Sequence, residues 1–218
     1  MAKRLPRDPK KEHAILNAAV VQFGKDGFNA STDKIAAVAG VSKGSVFRYF
    51  DNKKKLYVAA VKQAMATLVE TVDLSVWTYS DDLVTMIINA TKYKTELSHQ
   101  FPNEFALLTR VYAQDNLIPQ RVRQEVFAIF TKWQAEVEDT VVTRVVDKMT
   151  IRKDLDKAQV KKYLTLVLGT ISAEVQKELE EHPEMKRIED MGNLIATVKN
   201  YLEMAEFGVV ESRRDQIG

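Results

Sequence analysis

The chain has 218 residues, 45% apolar and 28% charged, with eight glycines, five prolines and no cysteine. These proportions fit a globular protein with one large domain, or a small domain and a larger one, and they exclude disulfides, thiolate metal sites and a cysteine nucleophile. The formal net charge of +2 is unevenly spread: residues 1–55 hold 12 Lys/Arg against 5 Asp/Glu, a formal +7, and residues 56–218 hold 20 against 25, a formal −5. A solvated basic surface would account for the imbalance, and so would a basic head that meets a polyanion while an acidic body does something else.

Glycine and proline are too sparse for the turn punctuation of a β-rich fold, so helices are favoured. The start, Met1 to Arg7, is basic, but no apolar run follows it and no signal peptide is read there. The longest apolar stretch, Tyr163 to Ile171, falls far short of a membrane span. A cytoplasmic protein with no membrane partner is expected, which makes the sequons at Asn29 and Asn89 chance matches.

The elements follow in order. Ile15, Leu16, Ala19, Val20 and Phe23 recur at helical spacing, so a first helix runs from about residue 10 to 26 and stops at Gly27. Ser31 or Thr32 caps a short second helix, with Asp33 in its first turn and Ile35, Ala36 and Ala39 on its inner face. Gly40 ends it. Ser42 caps a third helix that turns Val46 and Phe50 inward, and a fourth begins near Lys53. Beyond Trp77, helices open at Ser80-Asp81-Asp82, at Pro102 (a short one, to about Gln114), at Pro119, at Asp154 or Asp156, and at Pro183. The expectation is an all-α fold of about nine helices and no strand. A three-helix head with a helix-turn-helix covers 1–55, and a larger helical body covers 56–218.

The informative segment is Ser31 to Phe50. Two helices too short to stand alone flank the turn Gly40-Val41-Ser42. Ala36 and Ala39 permit a close crossing, Gly40 supplies a positive φ, and Val41 plugs the angle, which are the requirements of a helix-turn-helix. Lys43, Ser45, Phe47, Arg48 and Tyr49 fall on the face expected to be exposed on the second helix. Arg48 is best suited to grip guanine O6 and N7 bidentately. Lys43 and Tyr49 suit phosphate, Ser31 or Thr32 a flanking phosphate, and the free N–H groups beyond Ser42 the same chemistry. Lys53, Lys54 and Lys55 put positive charge at a helix start, which a nearby phosphate would offset. An arm of Lys3, Arg4, Arg7, Lys10 and Lys11 could reach a groove or the backbone.

The run Ile35-Ala36, then Ala39 through Lys53, then Leu56 resembles the DNA-binding signature of the tetracycline-repressor (TetR) family, and Ala18-Ala19, Phe23 and Gly27-Phe28 fit its approach. The resemblance covers about a quarter of the chain. It implies that Arg48 and its neighbours contact bases, that Tyr49 and Lys53 contact phosphate, and that the body binds an effector and dimerises. One departure stands out. The family often has tyrosine where this chain has Phe47, which cannot donate to a phosphate and is left with sugar or a thymine methyl.

The body offers independent hints. Met191, Ile195, Val198, Leu202 and Ala205 step in a heptad-like seam, and Val160, Leu164, Val167 and Ile171 form a stripe widened by Tyr163 and Leu168. These are the candidate dimer residues, unless the two helices are simply core. A stripe of Val126, Phe130, Trp133, Val137 and Val141, with Phe101, Phe105, Tyr112 and Phe127 nearby in sequence, is the candidate effector pocket, although such stripes are more often core. His13, His99 and His182 lack zinc-ligand spacing, and Gly40 and Gly44 make no phosphate loop. Ser31-Thr32-Asp33-Lys34 matches a serine–lysine pattern, but its companion motifs are missing and the helix cap already accounts for it. Neither metal nor cofactor is expected. The reading is a homodimeric regulator, not an enzyme, that represses from a roughly palindromic operator and is released by an unidentified small molecule. The alternatives are a helical ligand-binding protein with a vestigial helix-turn-helix, and a helical enzyme.

Overall fold

The computed structural model describes residues 7–77, 80, 82–182, 184–185 and 187–208. Among them are nine α-helices, three short 3-10 turns and no strand. The helices are α1 (Pro9–Asp26), α2 (Thr32–Val38), α3 (Lys43–Phe50), α4 (Lys53–Thr71), α5 (Leu83–Gln100), α6 (Pro102–Tyr112), α7 (Gln120–Lys148), α8 (Lys157–Glu181) and α9 (Gly192–Phe207). Asp8, Ser31, Ser42, Asn52 and Asp156 each cap a helix by accepting from a backbone N–H one turn in.

The chain divides into two compact units, Met1–Val72 with Ser98–Thr131, and Asp73–Leu97 with Lys132–Gly218. This partition differs from the division expected at 55/56, because α4 and α6 both pack on α1. In the first unit α1, which buries Ile15, Ala19 and Phe23, packs against α4, which buries Leu56, Tyr57, Ala60 and Val61, and against α6, which buries Leu107 and Val111. The rings of Phe23 and Phe28 meet Tyr57 edge-on at 4.9 and 5.3 Å. Gly24 lets α1 and α6 approach: a Cβ there would stand 2.6 Å from the Asn103 carbonyl oxygen. Arg110 fastens the same junction. It donates to the Gly24 and Lys25 carbonyls at the end of α1 and pairs with Asp115 at 3.0 Å.

In the second unit Leu83 and Met86 of α5, Val141, Val142, Val145 and Val146 of α7, Leu164 and Ile171 of α8, and Leu202 of α9 form one apolar core. Ion pairs Lys161–Asp139 and Lys157–Asp147, both 2.9 Å, run between α8 and α7. Glu206 accepts from the free Leu83 N–H at the start of α5.

Two boundaries depart from the sequence reading. The last helix begins at Gly192, not near Pro183, which lies outside the described residues; a 3-10 turn at Ile188–Met191, closed by reciprocal Arg187–Asp190 bonds, precedes it. Helix α6 stops at Tyr112, short of the expected Gln114, because Gln114 takes a positive φ of 47°.

Candidate nucleic-acid interface

The site grows from the link between α2 and α3. Gly40 adopts φ 66°, and Val41 returns an N–H to the Ala36 carbonyl at 3.0 Å, closing α2 where the chain turns. Ser42 then accepts from the Ser45 N–H at 3.2 Å and shares a hydroxyl bond with Ser45 at 3.0 Å. Val46, Tyr49 and Phe50 are buried, which leaves Ser42, Lys43 and Arg48 exposed and Ser45 and Phe47 half-buried on the outer face of α3. Ser31 and Thr32 are half-buried at the start of α2, where Ser31 accepts from the Asp33 N–H.

The exit from α3 is sharp. Asp51 has φ 58° and ψ −49°, and the Asn52 N–H bonds back to the Phe50 carbonyl at 2.6 Å, a γ-turn of positive φ. It lets Asn52 cap α4 at once and puts Lys53 in the first turn. The Lys53 ammonium lies 5.1 Å from the Phe28 ring centroid, and its pKa is lowered from the ordinary lysine value by desolvation. Lys43 pairs with Asp33 at 2.9 Å, so on meeting phosphate it would exchange one exposed partner for another.

Tyr49 corrects an expectation. Its side chain is not on the exposed face: the residue is 2% exposed, and its hydroxyl accepts from the Asp8 N–H at 2.9 Å. Val46, Tyr49 and Phe50 are spaced i, i+3, i+4 and share one buried stripe. Arg7 completes the contact by donating to the Tyr49 carbonyl at 2.7 Å, and the Arg7 and Arg48 guanidinium carbons lie 5.9 and 5.2 Å from the ring centroid. Within the expected basic arm, Arg7 is therefore engaged with α3, Lys10 and Lys11 are exposed, and Lys3 and Arg4 lie outside the described residues.

The body candidates divide between the units. Phe101, Phe105, Tyr112, Phe127 and Phe130 belong to the first and are half-buried, with Tyr112 and Phe130 at a centroid distance of 5.5 Å. Trp133, also half-buried, belongs to the second. Sequence reading missed a polar group beside it: Gln134 donates to Glu138 at 2.7 Å and to Ser172 at 3.2 Å, and the Ser172 hydroxyl donates to Glu138 at 3.0 Å. Lys94 keeps accessible surface, yet the protein around it desolvates its ammonium and lowers its pKa, with Glu138 opposing the shift. No spacing in the sequence signals this group, because its members come from three helices.

Of the expected dimer residues, Leu164, Ile171 and Leu202 are core of the second unit, and Val160, Val167 and Val198 pack against it. Met191 and Ile195 are half-buried. The large apolar side chains left exposed on α8 and α9 are Tyr163, Leu166, Tyr201, Met204 and Phe207.

A Ser-capped outer helix bearing exposed arginine and lysine, set by a glycine turn on a short supporting helix, defines the helix-turn-helix class of regulators. The family model described as bacterial regulatory proteins, tetR family, matches residues 15–60. The chain is 25% identical over 136 residues to the HTH-type transcriptional activator FasR of Mycolicibacterium smegmatis, covering 59% of this chain and 62% of that one. It is 41% identical over 56 residues to the HTH-type transcriptional regulator RutR of Escherichia coli K12, covering 25% and 26%. The matches thus span about three fifths and one quarter of those relatives' lengths. The FadR regulator of Bacillus subtilis, solved with stearoyl-CoA, shares the fold, with a TM-score of 0.56 and 20% identity over 91% of this chain and 100% of that one. Over residues 15–60 the chain is thus of the tetR family of bacterial regulatory proteins. Its relatives are regulators of transcription, not enzymes.

Proposed function

We propose that the protein is a homodimeric repressor that reads a roughly palindromic operator through α3 and leaves it when a small amphipathic molecule binds the body. The observation that carries this reading is the outer face of α3, where Arg48 is exposed and unburdened by any ion pair among the described residues while Val46, Tyr49 and Phe50 hold the helix from behind. Arg48 reads bases, with Ser45 and Phe47 beside it. Ser31, Thr32, Ser42, Lys43 and Lys53 hold phosphates, and Tyr49 sets the angle of α3 from below. The functional head remains 1–55, even though its packing continues into α4 and α6.

Dimerisation follows from the geometry of reading, because two heads on one face of B-DNA need half-sites about 34 Å apart. The exposed apolar side chains of α8 and α9 are the surface offered to a second copy. The effector proposal draws on the half-buried aromatic side chains of the first unit, where the Tyr112 and Phe130 rings meet at a centroid distance of 5.5 Å. Binding in the body shifts the population of head spacings and weakens DNA affinity.

Fluorescence anisotropy on arbitrary duplex DNA at several salt concentrations tests the DNA reading without a known operator. Wild type is expected to lose affinity steeply with salt. Lys53→Ala should weaken all sequences alike and reduce the slope by about one. Binding that ignores salt, or no binding by folded protein, refutes the proposal.

A further inference from the structure

A second basic feature of the first unit includes no residue of α3. It is a groove between α4 and the start of α7. Lys54, Lys55 and Lys62 of α4 and Arg121 of α7 form its rim, and Glu125 is the one carboxylate among its lining residues. Its floor is apolar, made by Val58, Ala59 and Val122. The helical repeat explains the alignment: positions 54–55, 58–59 and 62 fall on one side of α4 at successive turns.

The charges are not consumed by the fold. Lys55 pairs with Asp51 at 2.7 Å, but Lys54, Lys62 and Arg121 form no hydrogen bond or ion pair with any described residue. Glu125 stands in the same groove and pairs with none of them. Cations gathered in one concavity repel one another and focus a positive potential there. A fold indifferent to ligands gains nothing from that arrangement.

Two polyanions could answer it, and distance separates them. Lys62 lies nine residues beyond Lys53 on a continuous helix, about 13.5 Å along its axis. That is farther than a lysine side chain extends, so a phosphate met by Lys53 is not also met by Lys62. From Lys54 to Lys62 the rim runs about 12 Å. That length suits a molecule carrying two or more phosphate charges and a flat or apolar part, and exceeds a single inorganic phosphate.

We propose that the groove binds a small organic diphosphate of the nucleoside diphosphate class, its phosphates held by Lys54, Lys62 and Arg121 and its ring resting on Val58, Ala59 and Val122. The site does not include the aromatic candidates of the body, and its binding test uses no DNA, so failure to bind the diphosphate is distinguishable from failure of the repressor reading. Its position on α4, the helix that also carries Lys53, makes it a second point from which a ligand can act on the DNA-facing end.

The test is calorimetric titration of the full-length protein with ADP, pyrophosphate and adenosine at low ionic strength. Saturable binding of ADP, weaker binding of pyrophosphate and none of adenosine are expected. The K62Q/R121Q double variant, both of whose positions are exposed, should melt like wild type and bind ADP at least about tenfold more weakly. K153Q/K162Q, which removes two exposed lysines of the second unit, should bind ADP as wild type does. Failure of both ADP and pyrophosphate to saturate, adenosine binding as well as ADP, or undiminished ADP binding by K62Q/R121Q overturns the assignment. A parallel salt titration on duplex DNA should show the same slope for K62Q/R121Q as for wild type. A slope lower by about two would make the groove a DNA contact and overturn the proposal as well.

Discussion

Tyr57 sits where α1 and α4 meet, and its hydroxyl is buried with no hydrogen-bond partner among the described residues. Burial pushes its pKa far above the ordinary phenol value; the Asp115 charge adds to the shift and Arg110 opposes it. An orphaned polar atom costs the fold its desolvation, so Tyr57→Phe should raise unfolding free energy by about 1 kcal/mol, as read by denaturant titration; a loss of stability would mean that the hydroxyl has a partner, such as an ordered water. Other residues were legible in the sequence. Ser31 and Ser42 cap helices as their spacing implies, and Gly40 takes the positive φ that the turn demands. Tyr49 was misread because its hydroxyl suggested a surface position; its spacing from Val46 and Phe50 was the better guide, and the Asp8 N–H that satisfies the hydroxyl is 41 residues away. Asp51, a non-glycine at positive φ, had no sequence signal at all.

Helices were readable where periodicity and an end signal agreed, as for α1, which stops at Gly27, and α8, which Asp156 caps. Proline was an uneven guide: Pro102 and Pro119 open α6 and α7 as expected, whereas Pro183 suggested a start that the Arg187–Asp190 turn delays to Gly192. Pairings between elements were less accessible, because they depend on which faces meet. The approach of α1 to α6 is an example. Gly24 reads as a residue near a helix end, yet its missing side chain is what admits the Asn103 carbonyl. Gly24→Ala forces a Cβ to 2.6 Å from that oxygen, and backbone cannot yield as a flexible side chain does. The variant should lose about 1–3 kcal/mol in chemical denaturation, despite alanine's better helix propensity. A gain in stability would show that α1 and α6 separate at little cost. The Arg110 clamp onto Gly24 and Lys25 makes such separation costly.

For the whole molecule, the partition into two units was not accessible from charge and motif. Those features mark what the head does, whereas packing follows the apolar faces of α4 and α6. The same distinction applies to the proposed dimer. Apolar stripes on α8 and α9 are easy to find, but a stripe does not say which of its edges faces the core. Leu164, Ile171 and Leu202 face inward, and Leu166, at 64% exposure, and Phe207, at 72%, do not. Leu166→Glu should therefore leave the melting of the monomer fold nearly unchanged and shift sedimentation from dimer towards monomer. In the proposed two-fold dimer the substitution falls in the interface twice, at about 1.5–3 kcal/mol per lost leucine burial. An undisturbed dimer would move the interface elsewhere.

The reading of DNA by α3 is tested most directly by selecting bound fragments from source-organism DNA at near-physiological salt, with wild type and Arg48→Ala side by side. Wild type is expected to enrich a roughly palindromic sequence. Arg48→Ala should bind it about 1–3 kcal/mol more weakly and lose preference at one base pair of each half-site, while keeping salt-dependent binding. A palindrome enriched equally and with equal sharpness by both proteins would contradict the role given to Arg48, and no enrichment by folded, dimeric wild type would contradict the reading of α3 as a sequence-specific element.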